Sequence, residues 1–330
     1  KNYQIKSNGA KIGSFWKPLD SVGLYIPGGH AVYPSSLIMN VIPAQIAGVK
    51  RIVVTTPITN GKFNPYILAI LDLLKIKEVY QVGGAHAIAA LAYGTETIDP
   101  VNKIFGPGNA YVTSAKKNVF GKVGIDLIAG PSEIVVVADD SNNPEWIASD
   151  LIAQAEHDEK AQSILITNSL KFAKEVMNKI NDLSINLKRK NIIKKSLSKF
   201  GAAIILKDLK NSPKLIDLIS PEHLHLQTKQ NDYIYKNINN VGAIFLGKYS
   251  SEAFGDYIAG TNHVLPTSGS AKFSSGLGVI DFMKRTSFVN INKKSSHLLS
   301  KHVSRMASIE NLDGHKLSVK IRQNDKKKLY

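Results

Sequence analysis

The chain has 330 residues, 43% of them hydrophobic, an ordinary globular share and, at roughly 150 residues each, enough for about two domains. It contains no cysteine, which excludes disulfides, thiolate metal sites and a cysteine nucleophile. Its formal net charge of +16 invites a nucleic-acid reading, but the lysines are scattered and no aromatic residues interleave with them as a stacking platform requires. No apolar run is long enough to span a bilayer, and residues 1–10 lack the apolar core of a signal peptide. The expectation is a cytoplasmic protein with no nucleic-acid or membrane partner and a frayed basic tail at Lys326–Lys328.

In chain order, Ser21–Ile26 reads as a strand ended by Pro27-Gly28-Gly29, and residues 34–47 as a helix. Arg51–Thr55 follows as a strand, 65–74 as a helix, Glu78–Val82 as a strand and, after Gly83-Gly84, 85–93 as a helix. Strands separated by helices indicate parallel βαβ units in a covered sheet. Gly106-Pro107-Gly108-Asn109 links a short strand, 103–105, to a helix over 110–120. Such a turn lets backbone approach a phosphate at a helix N-terminus. It is not the GxGxxG dinucleotide fingerprint, and a tight turn that needs glycine is an equally good local reading.

A second series opens at the β-branched strand Ile134–Ala138. In the next helix, Asn142 and Asn143 can cap, Pro144 fits the first turn, and Trp146, Ile147, Leu151 and Ala155 recur at helical spacing. Within Leu151–His157, Gln154 and His157 stand three residues apart, which on a helix places two metal-capable side chains on one face. Strands at 163–167, 203–206, 223–227 and 243–246 and helices at 170–180 and 213–219 continue the rhythm. Beyond Asp281, a helical stripe through Leu298, Leu299, Val303, Met306, Ile309 and Leu312 precedes Leu317, Val319 and Ile321, which alternate as a strand. This piece has too few apolar residues for a core of its own.

Three further segments gather ionisable groups. Ser220–His225 sets Glu222 beside His223 at the start of a strand, Gly255–His263 holds Asp256 and His263 in a loop, and Glu310–His315 offers another carboxylate and imidazole. Each has a plainer reading, a helix cap or a histidine bonded in a turn. Together Gln154, His157, Asp256 and His315 make an N/O ligand set suited to zinc or a similar divalent ion.

Eight blocks, Ser21–Gly29, Gln81–Leu91, Gly106–Thr113, Ala129–Asp139, Leu151–His157, Ser220–Gln227, Gly255–Thr267 and Glu310–His315, occur in an order that resembles histidinol dehydrogenases. The resemblance implies zinc ligands Gln154, His157, Asp256 and His315, the last reaching across a homodimer. It implies an acid/base pair Glu222 and His223, substrate contacts at Ser132, His263 and Glu310 beside the metal ligands, and NAD contacts at Tyr25, His86 and Asn109. It also implies oxidation of L-histidinol through L-histidinal to L-histidine with two NAD+, the last steps of histidine biosynthesis. Aldehyde oxidation without a cysteine then needs a water route. The chain departs from the family in carrying His86 where glutamine is usual, and in lacking a further, mostly helical N-terminal region.

The resulting expectation is an α/β fold of two incomplete Rossmann-like parallel-sheet domains plus a small C-terminal helical extension. Its limits are an N-terminal segment 1–20, an NAD-binding domain 21–132, a second domain 133–280 with most metal and catalytic residues, and an extension 281–330 that packs on the partner subunit. The alternatives are a zinc hydrolase using Glu222 or Glu156 as base, and a truncated inactive homologue or basic binding protein.

Overall fold

The computed structural model describes residues 3–7, 9–28, 33–58 and 63–323; Gly29 of the first turn and the tail 326–328 lie outside the described residues. The chain opens with strands β1 (Tyr3–Ser7) and β2 (Ala10–Pro18). A first series follows: β3 (Ser21–Tyr25), α1 (Pro34–Ala47), β4 (Arg51–Thr55), α2 (Pro65–Leu73), β5 (Glu78–Tyr80), α3 (Gly84–Tyr93), β6 (Lys103–Phe105), α4 (Ala110–Val119) and β7 (Gly124–Ile125). The second runs β8 (Glu133–Ala138), α5 (Pro144–Ala155), β9 (Gln162–Thr167), α6 (Leu170–Ser184), α7 (Lys190–Phe200), β10 (Gly201–Ile205), α8 (Ser212–Ile219), β11 (His223–Gln227), α9 (Asn231–Lys236) and β12 (Ala243–Leu246). Last come α10 (Glu252–Tyr257), β13 (Met283–Ile291), α11 (Lys293–Ile309) and α12 (Asp313–Gln323).

Each series builds one five-stranded parallel sheet, and the two sheets share a strand order, β5-β4-β3-β6-β7 and β10-β9-β8-β11-β12. The strands read as near-continuous apolar runs because helices cover both faces. Val22, Leu24, Val53, Val54 and Ile104 are fully buried in the first sheet, and Ile134 to Val137 in the second. Helix starts follow local chemistry: Asn64, Asn109, Asn143 and Ser169 each cap a helix with a side-chain oxygen, and Pro65 and Pro144 occupy first-turn positions.

The order in which strands are added to each sheet reverses between its first and fourth strands, and ligands of open α/β sheets bind in the crevice outside the carboxyl ends at that point. In the first sheet the register pairs Leu24 with Phe105, so Tyr25 and Gly106 leave β3 and β6 side by side. Gly106 has φ +110°, and a Cβ there would fall 2.0 Å from the Tyr25 carbonyl oxygen, so only glycine fits. The second sheet uses its opposite end: Ser132 precedes β8, Glu222 precedes β11 and His223 begins it.

The two series and α10 lie in one compact unit, Leu19–Phe282; the chain ends, up to Pro18 and from Met283, form another. In that other unit β2 pairs antiparallel with both β1 and β13, and α11 packs on α12. The expected extension from 281 is therefore helical only after the strand β13. The alternation at Leu317, Val319 and Ile321 is not a strand but lies in α12. Leu317 and Ile321 are also four apart on one helical face, and Asp313 in the first turn with Lys320 and Arg322 in the last suits the helix dipole. The strand at 78 ends at Tyr80.

Leu91 of α3 lies directly over Gly23 of β3: a Cβ at Gly23 would come 2.8 Å from a Leu91 methyl. Gly23→Ala should cost about 1–3 kcal/mol by overpacking and Leu91→Ala about 2–5 kcal/mol by leaving a cavity. The double variant should be more stable than the sum of the two losses, as read by urea unfolding; strict additivity would refute this contact.

Candidate active site and metal centre

A cleft of about 1760 Å³ within the larger unit is lined by Tyr25, Gly84 and Gly106–Asn109 on one side and by Ser132, Gln154, His157, Glu222, His223, Asp256 and His263 on the other. Thus the expected cofactor-side and chemistry-side residues of the larger unit share one cavity, except His86, which is exposed on the first turn of α3 and is not among the lining residues.

Among the described residues, one group of imidazole and carboxyl side chains has metal-ligand spacing: His157, Glu252 and Asp256, whose ligand atoms all lie within 4.8 Å of one another. Glu252 is the member that the sequence reading missed. That reading begins a loop at Gly255, whereas the short helix α10 spans Glu252–Tyr257 and turns both carboxylates, four residues apart, to one face. The spacing was the available signal. His157 also stands differently from the expectation: α5 ends at Ala155, and His157 lies in the tightened turn beyond it, its N–H bonded to the Gln154 carbonyl at 3.2 Å. Arg189 fixes this turn. Its Nε donates to the Glu156 carbonyl at 2.7 Å and its Nη2 to that of His157 at 3.1 Å.

Gln154 is fully buried. With its amide nitrogen turned inward it donates to the Glu133 carbonyl at 3.2 Å and to Glu252 Oε1 at 3.1 Å, and it lies 3.0 Å from His223 Nδ1. Nδ1 of His223 also stands 3.1 Å from the Glu133 carbonyl, while its Nε2 is buried without a hydrogen-bond partner. One turn earlier on α5, Asp150 Oδ2 accepts from Gln227 Nε2 at 2.9 Å and lies 3.1 Å from His225 Nδ1. Two rungs of polar contact therefore join α5 to β11. Glu222 Oε2 accepts from the Glu133 N–H at 3.1 Å and lies 3.8 Å from His223 Nδ1.

Burial dominates the electrostatics. Desolvation holds the Glu222 carboxyl well above the usual range, with the charges of Glu133 and Asp256 adding to it. Desolvation likewise raises Glu252, aided by Asp256, Glu222 and Asp150, and lifts Asp256 to about 6. The imidazoles move the other way, His223 down to about 3 and His157 and His263 below their ordinary value, again because burial disfavours the charged form. All three rings are thus neutral near pH 7, as ligands and bases must be. Crowded carboxyl groups beside neutral imidazoles, with Nε2 of His223 and of His263 and Oε2 of Glu252 unsatisfied, fit a divalent cation and a polar substrate. Glu310 and His315 belong to the other unit, where both are exposed, at the end of α11 and in the first turn of α12.

A crevice at the carboxyl ends of one parallel sheet, sharing a cavity with a desolvated imidazole and carboxyl cluster, has the form of an oxidoreductase that holds a dinucleotide beside a divalent cation. Residues 1–323 match the histidinol dehydrogenase family model. The chain is 52% identical over 318 residues to the histidinol dehydrogenase of Rhodospirillum rubrum, covering 96% of this chain and 73% of that one. It is 51% identical over 316 residues to that of Rhizobium meliloti, covering 96% and 73%. The solved histidinol dehydrogenase of Elizabethkingia anophelis superposes with a TM-score of 0.94 at 38% identity, over 98% of this chain and 75% of that one. The chain belongs to the histidinol dehydrogenase family.

Burial lifts Asp256 to about 6, so a cation that bound at its carboxylate would have to displace a proton below that pH. A folded-state value above the ordinary 3.8 favours the folded protein below 3.8, and that contribution fades as pH rises through about 6. Zinc added to apoprotein should therefore raise Tm more at about pH 7.5 than at about pH 5, with proton release on binding. A larger shift at the acid end would overturn the assignment of Asp256 as a ligand.

Proposed function

We propose that the protein oxidises L-histidinol to L-histidine in two NAD+-dependent steps at the cleft between the two parallel sheets. The observation that carries the reading is the buried His223 and Glu222 pair at the amino end of the second sheet, facing the same cavity as the Gly106–Asn109 turn. Zinc, when bound, supplies a fixed positive point that orients the substrate's imidazole and amine. Gln154, His157 and Asp256 would hold it, with His315 supplied by a second copy of the chain; Glu252 braces the Gln154 amide. NAD+, when bound, would supply the hydride acceptor for each oxidation, held by Tyr25 and Asn109 in the cleft lining, with His86 reaching it from the exposed first turn of α3 outside that lining.

His223 takes the alcohol proton at Nε2, the atom left without a partner in the buried ring. Its depressed pKa means that the proton is passed on readily after the first hydride has left. Glu222 then removes a proton from water as that water adds to the aldehyde carbon. Burial gives this carboxylate the basicity the step needs, and a cation on Asp256 would cancel one of the charges that hold Glu222 in its acid form. The second hydride leaves from the hydrated aldehyde. The balance is one histidinol, two NAD+ and one water giving histidine, two NADH and protons.

Ser132 and His263 bind substrate from this chain and Glu310 from the partner, in a cytoplasmic homodimer. Among the described residues no helix is long and apolar enough to cross a membrane. The domain limits that best serve this reading are the cofactor sheet at 21–132 and the catalytic sheet at 133–280.

Adding limiting L-histidinol to zinc-loaded protein with excess NAD+ should yield about two NADH per histidinol, followed by absorbance, and His223→Asn or Glu222→Gln should each lower kcat by about 10²-fold or more. A yield of one NADH in the wild type, or full activity in either variant, would refute the assigned roles.

A further inference from the structure

Lys116 is 2% exposed, an unusual state for a lysine. It sits within α4, the helix that follows the Gly106–Asn109 turn, and its Nζ donates to the Gly106 carbonyl at 2.9 Å and to Asp126 Oδ1. The other carboxylate oxygen, Asp126 Oδ2, accepts from the Gly106 N–H at 2.8 Å. Both side chains are 3% exposed. The two members of one buried ion pair thus take the N–H and the carbonyl of a single residue, the glycine whose left-handed backbone turns β6 toward α4.

Stability alone is a poor reason for this arrangement. A buried ion pair often does no better for folding than a well-packed apolar pair of similar volume. What an apolar pair cannot do is fix both polar groups of one peptide residue in orientation. Gly106 needs that fixing because its conformation is open to glycine in several basins, while its neighbours face the cleft. Further along the turn, the Asn109 side chain accepts from the Tyr111 and Val112 N–H groups and so sets the start of α4. The turn is held at its first residue by Lys116 and Asp126 and at its last by Asn109.

We propose that the buried Lys116–Asp126 pair is a positioning device for cofactor binding: by clamping both polar groups of Gly106 it holds the Gly106-Pro107-Gly108 turn in the one conformation that receives the dinucleotide. This rests on the reading that the turn contacts NAD+. Neither residue touches the reacting atoms, so the signature is a selective loss of cofactor affinity.

The test uses the zinc-loaded full chain, with Lys116→Met, Asp126→Asn, the double variant, Asp126→Glu and, as a control for the site itself, Asn109→Ala. NADH binding is followed by fluorescence titration, alongside KM for NAD+, KM for histidinol, kcat and Tm. Lys116→Met should raise the NADH Kd and the NAD+ KM by about tenfold or more while the histidinol KM stays within about twofold. The double variant leaves no unpaired buried charge, so its Tm should recover toward wild type while cofactor affinity stays weak. Asp126→Glu, which keeps the charge but displaces the carboxylate, should weaken NAD+ without loss of Tm. Wild-type cofactor affinity in a folded double variant would overturn the proposal, as would failure of both the double and the Asp126→Glu variants to fold, since the pair would then be structural. If Asn109→Ala leaves NAD+ affinity unchanged, the turn is not the cofactor site, and the reading of the cleft fails independently of the clamp.

Discussion

Desolvated negative charge is the constraint on which the rest of the site depends. Glu222, Glu252 and Asp256 come together where water is largely excluded, and each is driven toward its protonated form by burial first and by its neighbours second. Three neighbouring carboxylates cannot all ionise there without a compensating cation. The neutral His157 beside them, held in place by the hydrogen bonds of Arg189 to its own carbonyl and that of Glu156, turns an unfavourable cluster into a coordinating one. The arrangement is therefore poised: protons satisfy it when no ion is bound, and a divalent ion held there would have to displace them.

The twin sheets explain how two different chemistries meet in one cavity. Both have the same strand order, so each has a crevice at the carboxyl ends of its first and fourth strands. Only the first sheet turns that crevice, with Tyr25 and Gly106, toward the cleft. The second offers its amino ends, where Ser132, Glu222 and His223 enter β8 and β11, together with the carboxyl terminus of α5, where Gln154 and His157 lie. Its own carboxyl-end crevice is closed by hydrogen bonds. Asp139 accepts from the Ser141 and Lys229 N–H groups, and Asn142 bonds the Gln227 carbonyl. One repeated architecture thus presents a glycine-rich turn to the cleft from one sheet and a rigid mount for side chains from the other.

What the sequence made legible was local. Asparagine and proline at helix starts, β-branched strands and the glycine turn at 106–109 placed most of both sheets, and Glu222, His223 and Asp256 were visible as chemistry beside strand and loop boundaries. The partners were not legible, because partnership is set by tertiary register. Nothing local says that Arg189, in a lysine-rich stretch easily taken for solvated surface, reaches back to the end of α5, or that Lys116 is buried. Glu252 was hidden by Gly255, which argues against a helix although α10 forms around it. The pairing of β2 with β13 joins opposite ends of the chain, and alternation at 317–321 satisfied helix and strand templates equally until the end charges of α12 are weighed.

One amide bears on the tautomer of the buried His223 ring. For His223 to accept a proton at Nε2, its own proton must stand on Nδ1, and the Glu133 carbonyl at 3.1 Å is placed to accept it. The Gln154 amide stands 3.0 Å from the same Nδ1. With its nitrogen inward it competes for that position: both groups would present a hydrogen along one line, and the ring is pushed to the tautomer that carries its proton on Nε2, which cannot act as a base. The tautomer with a free Nε2 therefore requires Gln154 to turn its oxygen to Nδ1 or to withdraw from it. With the nitrogen inward, the amide oxygen is the end turned away from His223, and oxygen is the end through which a glutamine would ligate a cation. The tautomer of His223 is in this way set by which end of the Gln154 amide faces Nδ1, a dependence that follows from two distances and the hydrogen-bonding capacities of one amide and one imidazole.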